Sequence, residues 1–148
     1  DYDEARKIYA EALDLFPESA LSHGMLGTVL AKEKNHEEAL RSIEQALAIR
    51  PDDPRLLVNR AIELAELGRI DEAIAANEAM LENPLLAAKA DYNLGILYDR
   101  YRPDPPRALA HYEASLRRAP DRANAEIVRG RIRALRAQIE GRPTRATP

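Results

Sequence analysis

The chain contains no cysteine and no tryptophan, and Phe16 is its single phenylalanine. Without cysteine there are no disulfides and no thiolate metal sites, and the redox compartment stays open. No apolar run approaches the roughly 18 residues of a membrane-spanning helix, and no signal peptide opens the sequence. The sequence starts at Asp1 rather than at methionine, inside a structural unit, so targeting sequence upstream is left open. A soluble domain in the cytoplasm or the periplasm fits equally. What fills the 148 residues is 45% apolar and 32% charged, dominated by Ala, Leu, Glu and Arg. That mixture favours helix and gives little reason to expect sheet.

The net charge of -3 conceals a polarity. From Asp1 to Leu116 there are 13 basic and 22 acidic residues, and from Arg117 onward 9 basic and 3 acidic. Such asymmetry marks an acidic partner, nucleic acid or a membrane surface, or else the solvated outer face of a terminal helix. No aromatic platform accompanies the arginines, which ranks nucleic acid last. The Ala and Arg usage points to a bacterial source.

Repetition is the strongest signal. Ala5, Ala39, Ala73 and Ala108 are spaced 34, 34 and 35 residues apart, and Leu13, Leu47, Leu81 and Leu116 keep the same intervals. Small residues at Gly27, Ala61, Gly95 and Gly130 form a third column, and Tyr9, Ile43, Asn77 and Tyr112 a fourth. Each unit reads as two helices, because apolar residues in "LSHGMLGTVLAKE" and "EEALRSIEQALAI" recur at helical spacing. "KNH" or "GRI" makes the turn between them, and Pro17, Pro51, Pro84 or Pro120 stops the second helix. Gly68 supplies a positive φ at such a turn, Asp71 and Glu72 favour the next helix start, and Ala73 permits close approach.

The order "MLGTVL" with "EEALRSIEQALAIRP", then "RAIELAELGRIDEAIAANEAMLENP", then "YNLGILY" with "RALAHYEASLRRAP" resembles the tetratricopeptide repeat over about residues 1 to 140. The departures are His23, Leu57 and Asp91 where the family prefers Trp, Lys34 in place of the turn glycine, and Arg60 beside Ala61. The resemblance implies an all-α, right-handed superhelical solenoid of antiparallel helix pairs. Residues 1–19 read as the second helix of an incomplete repeat. Repeats follow at 20–53, 54–87 and 88–122, the last with a one-residue loop insertion, then a capping helix at 123–140 and a disordered tail at 141–148. In the loop "DRYRPDPPRA", Asp104 is placed to cap a helix starting at Pro105, and Tyr101, Arg102 and Pro103 offer an added contact point.

No catalytic chemistry is apparent. His23, His36 and His111 lack a metal-ligand spacing. Glu37 with Glu38, and Asp71 with Glu72, are acids at helix starts. Phosphate loops, nucleophile elbows and zincin sequences are missing. The expectation is no enzyme, no metal, no cofactor and no small-molecule substrate.

The family's geometry implies instead a groove lined by the first helix of each pair. Leu21, Gly24, Met25 and Thr28 come from one unit, Arg55, Val58, Asn59 and Ile62 from the next, and Lys89, Tyr92, Asn93 and Ile96 from the third. That mixture suits a protein or peptide ligand, with an acidic segment among the candidates. Asn59 and Asn93 also fit a bracing role between helices. A chaperone-docking subclass holds a C-terminal carboxylate with five Lys, Asn and Arg side chains. Here Gly24, Thr28, Asn59, Lys89 and Asn93 stand in those places and two match; starting one unit later, with Val58, Ile62, Asn93, Asn124 and Val128, is worse.

The function read from the sequence is therefore a non-catalytic interaction scaffold. One alternative is a regulatory or targeting module of a larger enzyme. Another is homo-oligomerisation, as a homodimer, through Ile8, Leu13, Leu15 and Phe16, which would lack their covering helix.

Overall fold

A computed structural model describes residues 1–141. Among them every regular element is helical: α1 (Tyr2–Leu15), α2 (Ala20–Lys32), α3 (His36–Ile49), α4 (Pro54–Glu66), α5 (Ile70–Met80), α6 (Ala87–Ile96), α7 (Pro105–Arg118) and α8 (Ala125–Ile139). The all-α class read from the sequence holds. Two compact units divide the chain inside α5, at residues 1–76 and from residue 77 onward. The tail expected at 141–148 lies, beyond Gly141, outside the described residues.

The helix starts follow local chemistry. Ser19, Asp53 and Asp104 each accept a backbone N–H of the first turn, from Ser22 at 3.2 Å, Arg55 at 3.0 Å and Arg107 at 3.1 Å respectively. Pro54 and Pro105 open α4 and α7, where a missing N–H costs nothing. At the other end, α1, α3 and α7 each stop two residues before Pro17, Pro51 and Pro120. α5 departs from that rule, since it ends at Met80, four residues ahead of Pro84. Pro84 is thus not its stop, and Leu81 falls in a turn rather than in the helix. Asn83 organises this connection: its carbonyl accepts the N–H groups of Leu86 and Ala87, and its side chain accepts that of Leu85.

Within unit 1, α2 and α4 end in the same turn. Lys34 N–H donates to Ala31 O at 3.1 Å and Asn35 N–H to Leu30 O at 2.9 Å; Gly68 and Arg69 repeat these bonds to Ala65 and Leu64 at 3.0 and 2.9 Å. This is the Schellman pattern, which places one residue in the left-handed region. Gly68 has φ +72° and Lys34 φ +63°. Lysine therefore adopts the glycine conformation, at a steric cost of about 1 kcal/mol. Lys34→Gly is expected to raise stability by on the order of 0.5–1 kcal/mol, and Gly68→Lys to lower it by a similar amount. Urea unfolding of both variants checks the pair, and equal signs would contradict it.

The third turn is different. The inserted residue is absorbed where α6 runs on into a π-helical turn, Leu97–Tyr101. Arg102 N–H donates to Leu97 O, and Asp104 N–H reaches Tyr98 O at 2.8 Å, one residue further than the matching bonds of the other two turns. Among the described residues no left-handed backbone is used there.

Two sequence columns meet in the core. A Cβ placed on Gly27 of α2 would lie 2.7 Å from Ile43 Cγ1 and 3.1 Å from the Ala39 carbonyl of α3; one placed on Gly95 of α6 would lie 2.6 Å from the Tyr112 ring of α7. The small residue of the first helix is a notch for the large residue of the second. Ala39, Ala73 and Ala108 are fully buried. Buried acids complete each unit: Glu63 of α4 takes His36 Nδ1 at 2.7 Å, and Asp91 of α6 takes His111 Nδ1 at 3.0 Å and Arg118 Nε at 2.9 Å.

Candidate functional site

Unit 1 carries a cleft between α2 and α4. Ala20, Leu21, Gly24, Met25, Thr28, Leu56 and Asn59 line it, with Arg50, Asp53 and Arg55 at its rim. Six of the residues expected from the sequence, Leu21, Gly24, Met25, Thr28, Arg55 and Asn59, are thus brought together. Leu21 is 61% exposed and Met25 37%, above a nearly buried Leu56. Ile62 shares the face of α4 with Arg55 and Asn59 by helical spacing, is 38% exposed, and lies outside the cleft. Thr28 Oγ1 donates to Gly24 O at 2.9 Å, so its hydroxyl proton is turned back into the helix. The Asp53 carboxylate caps α4 and sits 3.8 Å from Arg55 Nε.

Unit 2 has its own cleft, lined by Tyr92, Ile96, Asp99, Arg100, Tyr112, Ile127, Val128 and Arg131. Tyr92 and Ile96 are there as expected. Lys89 is exposed and lies apart from it, and Asn93 turns away, its Nδ2 donating to Oδ1 of the buried Asn77 at 3.0 Å. The Arg122 guanidinium stacks over the Tyr92 ring, 4.0 Å from its centroid. Asp99, on the π-helical turn, accepts from Arg131 Nε at 2.7 Å, from Arg131 Nη2, and from the Tyr112 hydroxyl at 3.3 Å. The inserted turn thereby anchors α8.

Sequence reasoning missed Arg50 and Asp53, which lie in the turn between α3 and α4, and Asp99, Arg100 and Arg131. Turn residues carry no helical periodicity, and a pair 32 residues apart such as Asp99 and Arg131 leaves no local mark. Of the histidines, His36 and His111 pair with buried acids as described. His23 Nε2 lies 2.9 Å from Pro17 O, and its buried Nδ1 has no partner among the described residues. Among those residues no group of three or more His, Cys, Asp and Glu is placed to hold a metal, and no helix is long and apolar enough to cross a membrane.

Burial holds the Tyr112 phenol above the ordinary tyrosine range, and the neighbouring Asp99 carboxylate pushes the same way. In the unfolded chain this phenol ionises near pH 10 while the folded one stays protonated, so above that pH the unfolded state binds fewer protons. The contribution is complete below about pH 10 and is lost as the pH climbs further. Urea midpoints are therefore expected to fall more steeply above about pH 10 in the wild type than in Tyr112→Phe; parallel curves would contradict this.

Helix pairs that repeat a notch and a buried alanine column define a helical-repeat protein. Two family models, both described as tetratricopeptide repeat, match residues 1–54 and 30–84, and the chain belongs to that family. The mouse protein O-mannosyl-transferase TMTC1 is 29% identical over 122 residues, 80% of this chain and 13% of that protein. The TPR repeat-containing thioredoxin TTL4 of Arabidopsis thaliana is 32% identical over 117 residues, 78% of this chain and 17% of that one. The chain thus spans less than a fifth of the length of these curated relatives. Among solved structures, YrrB, described as a TPR protein with an unusual peptide-binding site, superposes with a TM-score of 0.77 at 29% identity, over 87% of this chain and 66% of its own. The Sgt2 TPR domain of Aspergillus fumigatus shares the fold, with a TM-score of 0.70 at 21% identity over 87% of each chain.

Proposed function

We propose that this chain is a non-catalytic protein-interaction module that binds an extended peptide or a partner helix. The working surface is the exposed side of α2 and α4 in unit 1; unit 2 is described by its own cleft, to which α6 contributes Tyr92 and Ile96. The observation that carries this reading is the α2–α4 cleft, where apolar walls stand next to two guanidinium groups and an amide. The similarity to YrrB supports it, and on this reading the repeats run at 20–53, 54–87 and 88–122. Relatives many times longer than this chain favour a module that serves a larger protein. The test is a cross-linked pull-down from a lysate, comparing the chain with an Arg55→Ala, Asn59→Ala variant of matched helicity. Partners lost only by the variant support the reading. Partners retained equally move the function elsewhere.

A second reading rests on α1. Leu15 and Phe16 are 74% and 68% exposed, and α1 has no buried residue. Self-association through that edge is read by sedimentation; a mass independent of concentration removes it.

A further inference from the structure

We infer that, on this proposed surface, the α2–α4 cleft of unit 1 is the reading point, and that it takes an extended segment carrying an aliphatic side chain next to a carboxylate. The inference rests on the interaction reading and narrows it. It begins with Gly24, a glycine in the middle of α2, where that residue costs about 1 kcal/mol relative to alanine. A Cβ at this position would come within 2.9 Å of Leu56 Cδ2. The missing side chain makes room for Leu56 against α2, and both positions line the cleft together with Leu21 and Met25. Apolar walls with an adaptable methionine suit an aliphatic side chain.

The polar rim sets the rest. Arg50 is exposed and makes no ion pair among the described residues. Arg55 has one carboxylate nearby, that of Asp53, which is already held as the cap of α4 by the N–H groups of Arg55 and Leu56 at 3.0 and 3.4 Å. Arg50 therefore lines the cleft with no anion of its own among the described residues, Arg55 has only the capping carboxylate of Asp53 at 3.8 Å, and guanidinium groups bind a carboxylate with paired hydrogen bonds. Unit 1 as a whole carries nine basic and sixteen acidic residues, so a long acidic run would be repelled. One carboxylate placed beside the aliphatic residue satisfies both conditions.

Asn59 distinguishes this cleft from its repeat equivalent. Asn93, 34 residues on, donates to Asn77, which stands 16 residues before it. The residue 16 before Asn59 is Ile43, which has no polar side-chain atom. The Asn59 amide accordingly makes no side-chain hydrogen bond among the described residues, and its donor and acceptor remain open to a peptide group. The same position is a brace in unit 2 and a free contact in unit 1.

A phage-displayed library of random dodecapeptides, selected on the purified chain, tests this. Enriched sequences are expected to share Asp or Glu beside Leu, Ile, Val or Met. Their affinity, read by fluorescence polarisation, is expected to fall about tenfold or more with Gly24→Leu and with Asn59→Ala. Because Gly24→Leu also presses on Leu56, an Arg50→Ala, Arg55→Ala variant at two exposed positions supplies a second reading, with the acidic preference lost. Enriched peptides without the acidic–aliphatic pair, or indifferent to these changes but lost with Lys89→Ala or Tyr92→Ala, would overturn the inference and leave the interaction reading standing. No enrichment above an uncoated support would overturn both.

Discussion

Gly95→Leu is expected to lower the stability of the chain by about 3 kcal/mol, at the upper end of what overpacking costs. Even a methyl group at this position meets three ring carbons of Tyr112 at 2.6, 2.7 and 3.0 Å. The ring is buried and its hydroxyl is tied to Asp99, so moving it aside for a larger side chain disturbs that bond. The gain of about 1 kcal/mol from removing a mid-helix glycine is too small to offset the clash. Gly130 supplies the control, since it occupies the same column in α8 but has only the Arg133 guanidinium, at 3.8 Å, near its missing Cβ. Gly130→Ala is therefore expected to stabilise, by up to about 1 kcal/mol. Urea midpoints of the two variants should move in opposite directions. Movement in the same direction would mean that the notch at Gly95 is not what holds α6 to α7.

Ala39→Leu is expected to cost about 1 to 3 kcal/mol. Ala39 is fully buried, and its carbonyl lies 3.1 Å from the missing Cβ of Gly27, so α2 and α3 approach closely where both residues are small. Leucine at this point forces the two backbones apart. Ala73→Leu, at the matching position of α5, is also fully buried and is expected to behave alike. An unchanged denaturant midpoint in either variant would count against the repeat register.

The repeat was legible because each helix pair must solve the same packing problem. Gly27 with Ile43 and Gly95 with Tyr112 appear in the sequence as two separate columns, and the structure shows that each column exists for the other. Asp104 and Pro105 announced the start of α7 because capping is local chemistry. What escaped the sequence has no local cause. The π-helical turn at Leu97–Tyr101 answers an inserted residue, but whether a chain absorbs it in a loop or in a helix depends on what the neighbouring helices will accommodate. Here the outcome carries Asp99 to Arg131, a contact that the one-dimensional pattern does not encode. α5 stops at Met80 because the Asn83 turn, not Pro84, organises the exit. The expected contact residues divide in the same way. Leu21, Met25, Thr28, Arg55 and Asn59 converge on one cleft because helical spacing puts them on facing sides of α2 and α4. Asn93 occupies the same repeat position as Asn59 but is bonded to Asn77, where Asn59 has Ile43 in the matching place.

The most direct test of an interaction surface on α2 and α4 is hydrogen–deuterium exchange on the chain, free and with a bound peptide or captured partner. Slower exchange or altered peptide-level protection confined to residues 20–28 and 53–62 is the predicted result, with α1, residues 101–103 and α8 unchanged. Protection at α1, at the 101–103 turn or along α8, with α2 and α4 indifferent, would contradict it.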